Sequence, residues 1–148
     1  MEQEGGRAGR FGDCSGQVIG ACIDVHRVLG PGLLESAYES CLAHEFALRG
    51  VIVERQKAVA VSYKGVQLEC GYRLDFVVCA ELVVEVKAVE RLLLVHEGQL
   101  ISYLRLTNIP AGLLVNFHVE ILRRGLRRLT LKPRSDFQSK AAEWGEGF

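Results

Sequence analysis

The sequence predicts one α/β or α+β domain in which helices flank a mixed β-sheet. Apolar residues recur at helical spacing near the start and again in the later part of the chain, and at strand spacing between these parts. The resulting order is helix, helix, several strands, helix, strand. With 148 residues, of which 49% are hydrophobic, the chain is long enough to bury one core.

Two helices are predicted before residue 50. The first begins near Ser15 and stops at the helix-terminating segment GPG (30–32). The second extends over about 33–49, with Glu35 in its first turn and Gly50 placed to cap its end. Their apolar stripes consist of Val18, Cys22, Val25 and Leu29 in the first helix, and of Leu34, Tyr38, Cys41, Leu42 and Phe46 in the second.

The segments after Gly50 have the period of β-strands. VIVER, AVAVSY and VQLECGY predict short strands, and Lys64 with Gly65 predicts a hairpin turn between the last two. The apolar runs RLDFVV and LVVEVKAV predict two further strands, separated by a tight connection around residues 79–81.

A third helix is predicted over 95–107 and ends at Asn108. It leads to the buried strand AGLLVNF and to one or two strands at the arginine-rich end of the fold. Residues 1–14 and 133–148 lack periodicity, so we expect a flexible N-terminal arm and a flexible C-terminal tail around a domain at 15–132.

Composition restricts the compartment and the cofactors. No signal peptide pattern opens the chain and no apolar stretch is long enough to span a bilayer, so we expect a cytoplasmic protein without a membrane partner. The five cysteines form no CxxC pair. We therefore expect free thiols, with no evident iron–sulfur cluster.

The overall charge is balanced, and only one local stretch is basic. With 18 Lys and Arg against 18 Asp and Glu, no net field drives nonspecific binding to nucleic acid or to an anionic membrane. The stretch ILRRGLRRLTLKPR (121–134) contains no acidic residue. Its arginines could follow a phosphate backbone, and a solvated hairpin face is the alternative. These candidates are Arg123, Arg124, Arg127 and Arg128.

Three ionisable residues interrupt the apolar strands of RLDFVVCAELVVEVKAV (73–89), namely Asp75, Glu85 and Lys87. Burying such groups is costly unless they have partners. Glu85 and Lys87 share one face of their strand, and Asp75 comes beside Glu85 if the two strands form a hairpin. Two carboxylates beside a lysine suit Mg²⁺ or Mn²⁺ and hydrolysis of a phosphodiester by water. The alternative is a salt bridge on an exposed strand, which the apolar surroundings disfavour.

These motifs resemble a known group of proteins. Asp75 together with Glu85-Val86-Lys87 resembles the bipartite core of the PD-(D/E)xK nuclease superfamily, and QLISY (99–103) is similar to the QxxxY motif of its RecB-like exonuclease branch. GLLESAY (32–38) matches the signature of the GxxExxY protein family, a bacterial and archaeal group assigned to that superfamily.

The resemblance implies a restriction-endonuclease-like core with a mixed sheet of four to five strands flanked by helices. It assigns Lys87 to the attacking water and the phosphate, and Gln99 and Tyr103 to steadying Lys87 or a DNA phosphate. A histidine near the position of His26 joins the metal in some RecB-like nucleases, while a core or surface role for His26 is the alternative. The implied metal ligands are Glu35, Asp75, Glu85 and the backbone carbonyl of Val86.

Two functions from different classes follow from these features. The first is a Mg²⁺- or Mn²⁺-dependent nuclease that hydrolyses phosphodiester bonds of DNA by metal-activated water. The alternative is a catalytically silent module with the same fold that binds nucleic acid or regulates a partner, as a homodimer or with a helper subunit. Divalent metal affinity that depends on Asp75 and Glu85 separates the two.

Overall fold

The computed structural model describes residues 14–131. The predicted tail lies outside the described residues, and so does the predicted arm apart from Cys14. None of the helices in residues 14–131 is long and apolar enough to cross a membrane. The elements in chain order are α1 (Ser15–Leu29), α2 (Glu35–Leu48), β1 (Val53–Tyr63), β2 (Val66–Val78), β3 (Leu82–Lys87), α3 (Leu94–Thr107), β4 (Ala111–Asn116), a 3₁₀ helix (Leu122–Gly125) and β5 (Leu126–Thr130).

The five strands form one mixed sheet in the order β1-β2-β3-β4-β5. β3 and β4 are parallel, and every other neighbouring pair is antiparallel. Since parallel neighbours need a crossover connection, α3 carries the chain from one to the other. The predicted fold class is thereby confirmed: an α/β protein with the mixed sheet and flanking helices of a restriction-endonuclease-like core.

Each face of the sheet packs against its own helices. α1 and α2 contribute Val18, Tyr38 and Phe46 to one apolar cluster, and α3 contributes Leu100 and Leu104 to the other. Successive residues of β3 alternate between these layers, since Val83 lies in the α3 cluster and Val84 and Val86 in the cluster of α1 and α2. β3 and β4 are buried on both faces, which explains their nearly continuous apolar sequences.

The β1–β2 hairpin is longer than predicted, because segments expected as separate strands are continuous. VQLECGY and RLDFVV form the single strand β2, and β1 likewise extends through Gln56, which has a φ of 53°. The register shifts between Val59 and Ala60, and Gly71 has a φ of 77°. Such irregularities bend a paired strand as bulges without ending it. The Lys64-Gly65 turn is confirmed, with positive φ at both residues.

Tyr38 fixes the connection between α1 and α2. Its hydroxyl donates a hydrogen bond to the Gly30 carbonyl (2.6 Å) and accepts one from the Leu33 N–H (3.1 Å), and its ring stacks on Phe117 at 4.6 Å. The expected packing role of Tyr38 is confirmed. Because the backbone of Leu34 is extended, α2 begins at Glu35, slightly later than predicted.

Asn116 ties the segment after β3 to the end of β4. Its amide donates to the Val89 carbonyl (2.8 Å), and its side-chain oxygen accepts from the N–H groups of Val89 (3.0 Å) and His118 (3.2 Å). The side chain is buried, so these bonds replace contacts with water. They fix the path of the chain directly beyond Lys87.

Replacing Gly125 by Ala tests the close approach between the 3₁₀ helix and β4. An added Cβ would lie 2.1 Å from the Asn116 carbonyl oxygen, so the backbone must shift. We expect the free energy of unfolding in urea to fall by about 1–3 kcal/mol. Gly98→Ala is the matched control, because Gly98 lies in α3 with nothing within 4 Å of an added Cβ. This change should raise stability by roughly 0.5–1 kcal/mol. Unchanged stability of Gly125→Ala would contradict the described packing.

Candidate active site

Asp75 and Glu85 are neighbours across the β2–β3 hairpin. The pairing of Phe76 with Val84, continued by one residue, puts Asp75 opposite Glu85. The Asp75 N–H donates to Glu85 Oε1 (3.1 Å), and the Val86 N–H donates to Asp75 Oδ2 (2.8 Å). Here the side-chain carboxylates accept hydrogen bonds from the neighbouring strand's backbone. The predicted approach of the two carboxylates is confirmed.

The Glu85 carboxyl is buried, with 6% of the residue exposed. Burial, followed by repulsion from Asp75, raises the pKa of Glu85 to about 8, against the hydrogen bond from the Asp75 backbone and the charge of Lys87. Burial also raises the pKa of Asp75, opposed by its hydrogen bonds from Val86 and Gln56. When both carboxyls are ionised, their surroundings therefore do not fully compensate the negative charge. A proton or a cation relieves this excess.

Lys87 and Glu35 lie near the Asp75–Glu85 pair, so that three carboxyls and one ammonium form a single cluster. Glu35 is the first residue of α2 and is exposed, yet neighbouring atoms desolvate its carboxyl enough to raise its pKa, which the Lys87 charge opposes. Lys87 makes no direct ion pair with any carboxylate of residues 14–131. Its ammonium therefore remains available to a substrate. The alternative of an exposed cross-strand salt bridge is wrong, because Glu85 is buried and bonded to a backbone N–H.

The donors suit a hard divalent cation, although they do not converge on one point. In residues 14–131 no three His, Cys, Asp or Glu side chains are grouped so as to hold a metal ion. Mg²⁺ needs only one or two protein carboxylates, because waters and substrate phosphate oxygens complete its coordination. Asp75 and Glu85 are the carboxylates that could do so here. The N–H and C=O of one strand residue point to the same side, so the Val86 carbonyl also faces β2.

Gln99 and Tyr103 lie one turn apart on α3. The Gln99 side-chain amide donates to the Tyr103 hydroxyl (3.1 Å). Tyr103 is buried, and burial followed by the charge of Glu85 raises its pKa, so the ring lies near the carboxylate pair. α3 thus presents the predicted Gln99–Tyr103 pair beside the cluster. The Gln99 amide is bonded to Tyr103 and not to Lys87.

Gln56 belongs to the site and was not predicted from the sequence. Its side-chain amide donates to Asp75 Oδ1 (3.2 Å) from a point in β1 where the backbone is left-handed. The preceding residue, Arg55, anchors this part of β1 to α2 by two 2.7 Å hydrogen bonds to Glu39. A polar residue within VERQK carries no local signal for such a contact, because the left-handed backbone at Gln56 itself directs the side chain to Asp75.

His26 lies in the layer of α1. Its Nε2 lies 2.7 Å from the Val119 carbonyl, and its ring centre lies 6.3 Å from that of Phe117. Because a carbonyl only accepts, Nε2 carries the proton, and only Nδ1 could bind an ion. These contacts suit the alternative packing role. A metal-binding role for His26 stays a prediction.

The basic stretch is divided between the two faces of the sheet. Glu85 on β3 pairs with Leu114 on β4, which pairs with Arg127 on β5, so Arg127 occupies the same row and face as Glu85. Two strand spacings, roughly 10 Å, separate their backbones. Arg128 points to the opposite face, where its guanidinium lies 3.5 Å from the Ser15 hydroxyl. Arg123 and Arg124 are exposed on the 3₁₀ helix.

The raised pKa of Glu85 predicts a pH-dependent effect of Glu85→Gln. Between about pH 4.5 and 8 the folded protein keeps a proton that the unfolded chain releases, so this group's contribution to stability falls as pH rises. Glutamine does not titrate. The free energy of unfolding of Glu85→Gln, minus that of the parent, should therefore rise by roughly 2–4 kcal/mol across this window.

Urea unfolding with a chelator, at several pH values on either side of this window, measures the difference. Glu81→Gln is the matched control, because Glu81 is exposed in the connection between the same two strands. The difference between Glu81→Gln and the parent is the baseline at each pH. A Glu85→Gln difference that stays constant with pH would show that the Glu85 pKa is unshifted.

Comparison with known proteins identifies the family. The model of the PD-(D/E)XK nuclease superfamily matches residues 12–129, a range that includes Glu35, Asp75, Glu85 and Lys87. Comparison with curated proteins and with solved structures gives no match. Nucleases of this superfamily generally use divalent metal ions such as Mg²⁺. The match covers most of the chain and agrees with the mixed sheet and the carboxylate pair, and the chain therefore belongs to the PD-(D/E)XK nuclease superfamily.

Proposed function

We propose that the protein is a nuclease that uses Mg²⁺ or Mn²⁺ to hydrolyse phosphodiester bonds of DNA. The observation that carries this proposal is the buried Asp75–Glu85 pair with Lys87 beside it, a lysine that forms no ion pair within residues 14–131. Burial of two neighbouring carboxylates destabilises a protein without a cation, so the arrangement is best explained by one. Such an ion also attracts a phosphate.

In this proposal each residue has a defined task. Asp75, Glu85 and the Val86 carbonyl would hold the ion, with Glu35 as a further ligand. The ion would supply positive charge and would lower the pKa of a water bound to it. Lys87 orients the attacking water and donates to a phosphate oxygen, where negative charge grows in the transition state.

The residues of α3 and β1 position the participants. Gln99 and Tyr103 are a bonded pair that can donate to a second phosphate oxygen once the substrate is present. Gln56 fixes one oxygen of Asp75, so that the other oxygen is directed towards Val86. Arg127, on the same face as Glu85, contacts a flanking phosphate. Arg123 and Arg124 are further candidates for such contacts, whereas Arg128 lies on the opposite face.

We also propose membership of the GxxExxY group and of the RecB-like branch. Gly32 has a φ of 107°, which favours glycine, and Tyr38 holds the connection that precedes Glu35. Two positions of that signature, Gly32 and Tyr38, thus have a physical task in setting the start of α2. The Gln99–Tyr103 hydrogen bond supports the relation to the RecB-like branch.

A second candidate function is a catalytically silent module that binds nucleic acid or regulates a partner, as a homodimer or with a helper subunit. It is favoured by one observation: the carboxylates are bonded to backbone N–H groups, and three ligands do not converge within residues 14–131. A silent module would retain these bonds in the presence of divalent ions. Metal binding and cleavage therefore distinguish the two functions.

Metal binding should raise the thermal stability of the parent protein. An ion that binds only the folded state adds about 2.7 kcal/mol at one hundred times its dissociation constant. Mg²⁺ or Mn²⁺ should therefore raise the Tm of the parent and of the Glu81→Gln control, and should have little effect on Asp75→Asn and Glu85→Gln. Differential scanning calorimetry against a chelated sample measures this shift. Equal shifts in all four proteins would argue against ion binding at this pair.

Cleavage of labelled DNA tests the activity itself. The parent should cut single- or double-stranded DNA with Mg²⁺ or Mn²⁺, and a chelator should stop the reaction. Lys87→Ala and Glu85→Ala should each lower the rate by about 100-fold or more, the loss typical for groups that stabilise transition-state charge.

The matched control for the lysine is Lys64→Ala, since Lys64 is exposed in the β1–β2 turn. It should cut at the parental rate. Cutting that persists in chelator, or that survives Lys87→Ala and Glu85→Ala, would refute the proposed mechanism. Metal-independent DNA binding without any cutting would favour the silent module.

A further inference from the structure

A groove lies directly beside the candidate active site, between the β1–β2 hairpin and α3. Gln99 and Tyr103 belong to the active site and also line this groove. Val61 and Tyr72 line it from the hairpin, and Ser102 and Arg105 from α3. Its volume is about 490 Å³, within the range of roughly 300–1,000 Å³ that is usual for small-ligand sites. A space of this volume is large enough for one nucleotide.

Tyr72 offers an aromatic surface inside this groove. The residue is 43% exposed and lies in the part of β2 (residues 66–73) that is exposed throughout. Its ring meets Tyr103 edge to face, with centres 6.0 Å apart and planes at 63°. The contact fixes the ring orientation, so stacking a base on Tyr72 costs little conformational entropy.

The polar residues of the groove complement a nucleotide. Arg105 is the only charged residue among the described residues that line it, so no carboxylate repels a phosphate there. The Ser102 hydroxyl donates to the Gly98 carbonyl (3.0 Å), which leaves its oxygen as an acceptor for the amino group of a base. A ring for stacking, a cation and an acceptor thus adjoin the proposed catalytic cluster.

We propose that this groove binds an unpaired nucleotide next to the scissile phosphate, with its base on Tyr72 and its backbone near Arg105, so that the enzyme prefers single-stranded nucleic acid. The inference rests on the proposed function and names its substrate class. In a duplex the faces of a base are covered by its neighbours, and a base must leave the stack before it can contact Tyr72. An unpaired strand presents these faces without that cost.

Binding tests the groove separately from catalysis. Fluorescence anisotropy, with a chelator present to prevent cutting, compares one labelled sequence as single-stranded DNA, as blunt duplex and as single-stranded RNA. The parent should bind the single-stranded DNA at least about 10-fold more tightly than the duplex. Tyr72→Ala should weaken single-strand binding by roughly 5-fold to 100-fold, the range found when one stacking ring is removed. Tyr72→Phe keeps the ring and should bind within about 2-fold of the parent.

Tyr63→Ala is the matched control, because Tyr63 is an exposed tyrosine at the end of β1 outside the groove. It should bind like the parent, and thermal melts should show all variants folded. Equal binding of single strand and duplex by the parent, or parental binding by Tyr72→Ala, would overturn the inference. RNA binding with the same dependence on Tyr72 would keep the groove and change the substrate of the proposed function from DNA to RNA.

Hydrolysis of bis(4-nitrophenyl) phosphate, a diester without a base, reports on the proposed function. If the parent hydrolyses it, Tyr72→Ala should lower the ratio of single-strand cleavage to diester hydrolysis by about 10-fold. An unchanged ratio would overturn the inference that the groove binds a nucleotide, and would not affect the proposed nuclease activity. If neither substrate reacts, the proposed function fails, and the binding series alone decides on the groove.

Discussion

The burial of the Glu85 carboxyl beside Asp75 is the constraint on which the rest of this site depends. The two carboxyls meet where β2 and β3 cease to pair, and each accepts a hydrogen bond from the backbone of the opposite strand. These bonds only partly offset the cost of a charged group there, because burial still raises the pKa of both carboxyls, and repulsion from Asp75 raises that of Glu85 further. The protein thus sacrifices stability at one point, as is typical of functional sites.

The buried polar side chains around this pair are hydrogen-bonded. Every buried side-chain nitrogen and oxygen among residues 14–131 has a hydrogen-bond partner, so the excess charge is not part of a general defect in packing. Two of these hydrogen-bonded side chains fix the segments on either side of the carboxylates. Tyr38 fixes the start of α2, and Asn116 fixes the chain beyond β3. Rigid supports of this kind let a few ionisable groups keep a geometry that they would not adopt by themselves.

Local sequence patterns were sufficient to predict the helices, the strands and the contact between Asp75 and Glu85. They failed where the neighbouring strand determines the backbone conformation. A short connection fixes the register of β2 against β3, so the meeting of Asp75 and Glu85 followed from the spacing alone. Gly71 could have marked either a strand end or a bend, and only the pairing of Glu69 and Tyr72, on either side of it, with β1 shows that the strand continues. Gln56 reaches Asp75 through a backbone conformation that no neighbouring residue signals. The approach of Glu35 depends on the packing of α2, for which the sequence offered only a family resemblance.

The single parallel pair in the sheet has a consequence for how the site is assembled during folding. β2 and β3 are joined by a short connection, so the contact between their carboxylates closes a small loop and can form early. β3 and β4 meet only after α3 has crossed between them, and α3 also covers Glu85 with Tyr103. We therefore expect the two carboxylates to meet while still hydrated and to lose their water when α3 docks. The electrostatic cost of the site then falls on a late folding step, where an ion in the surrounding solution can already offset it.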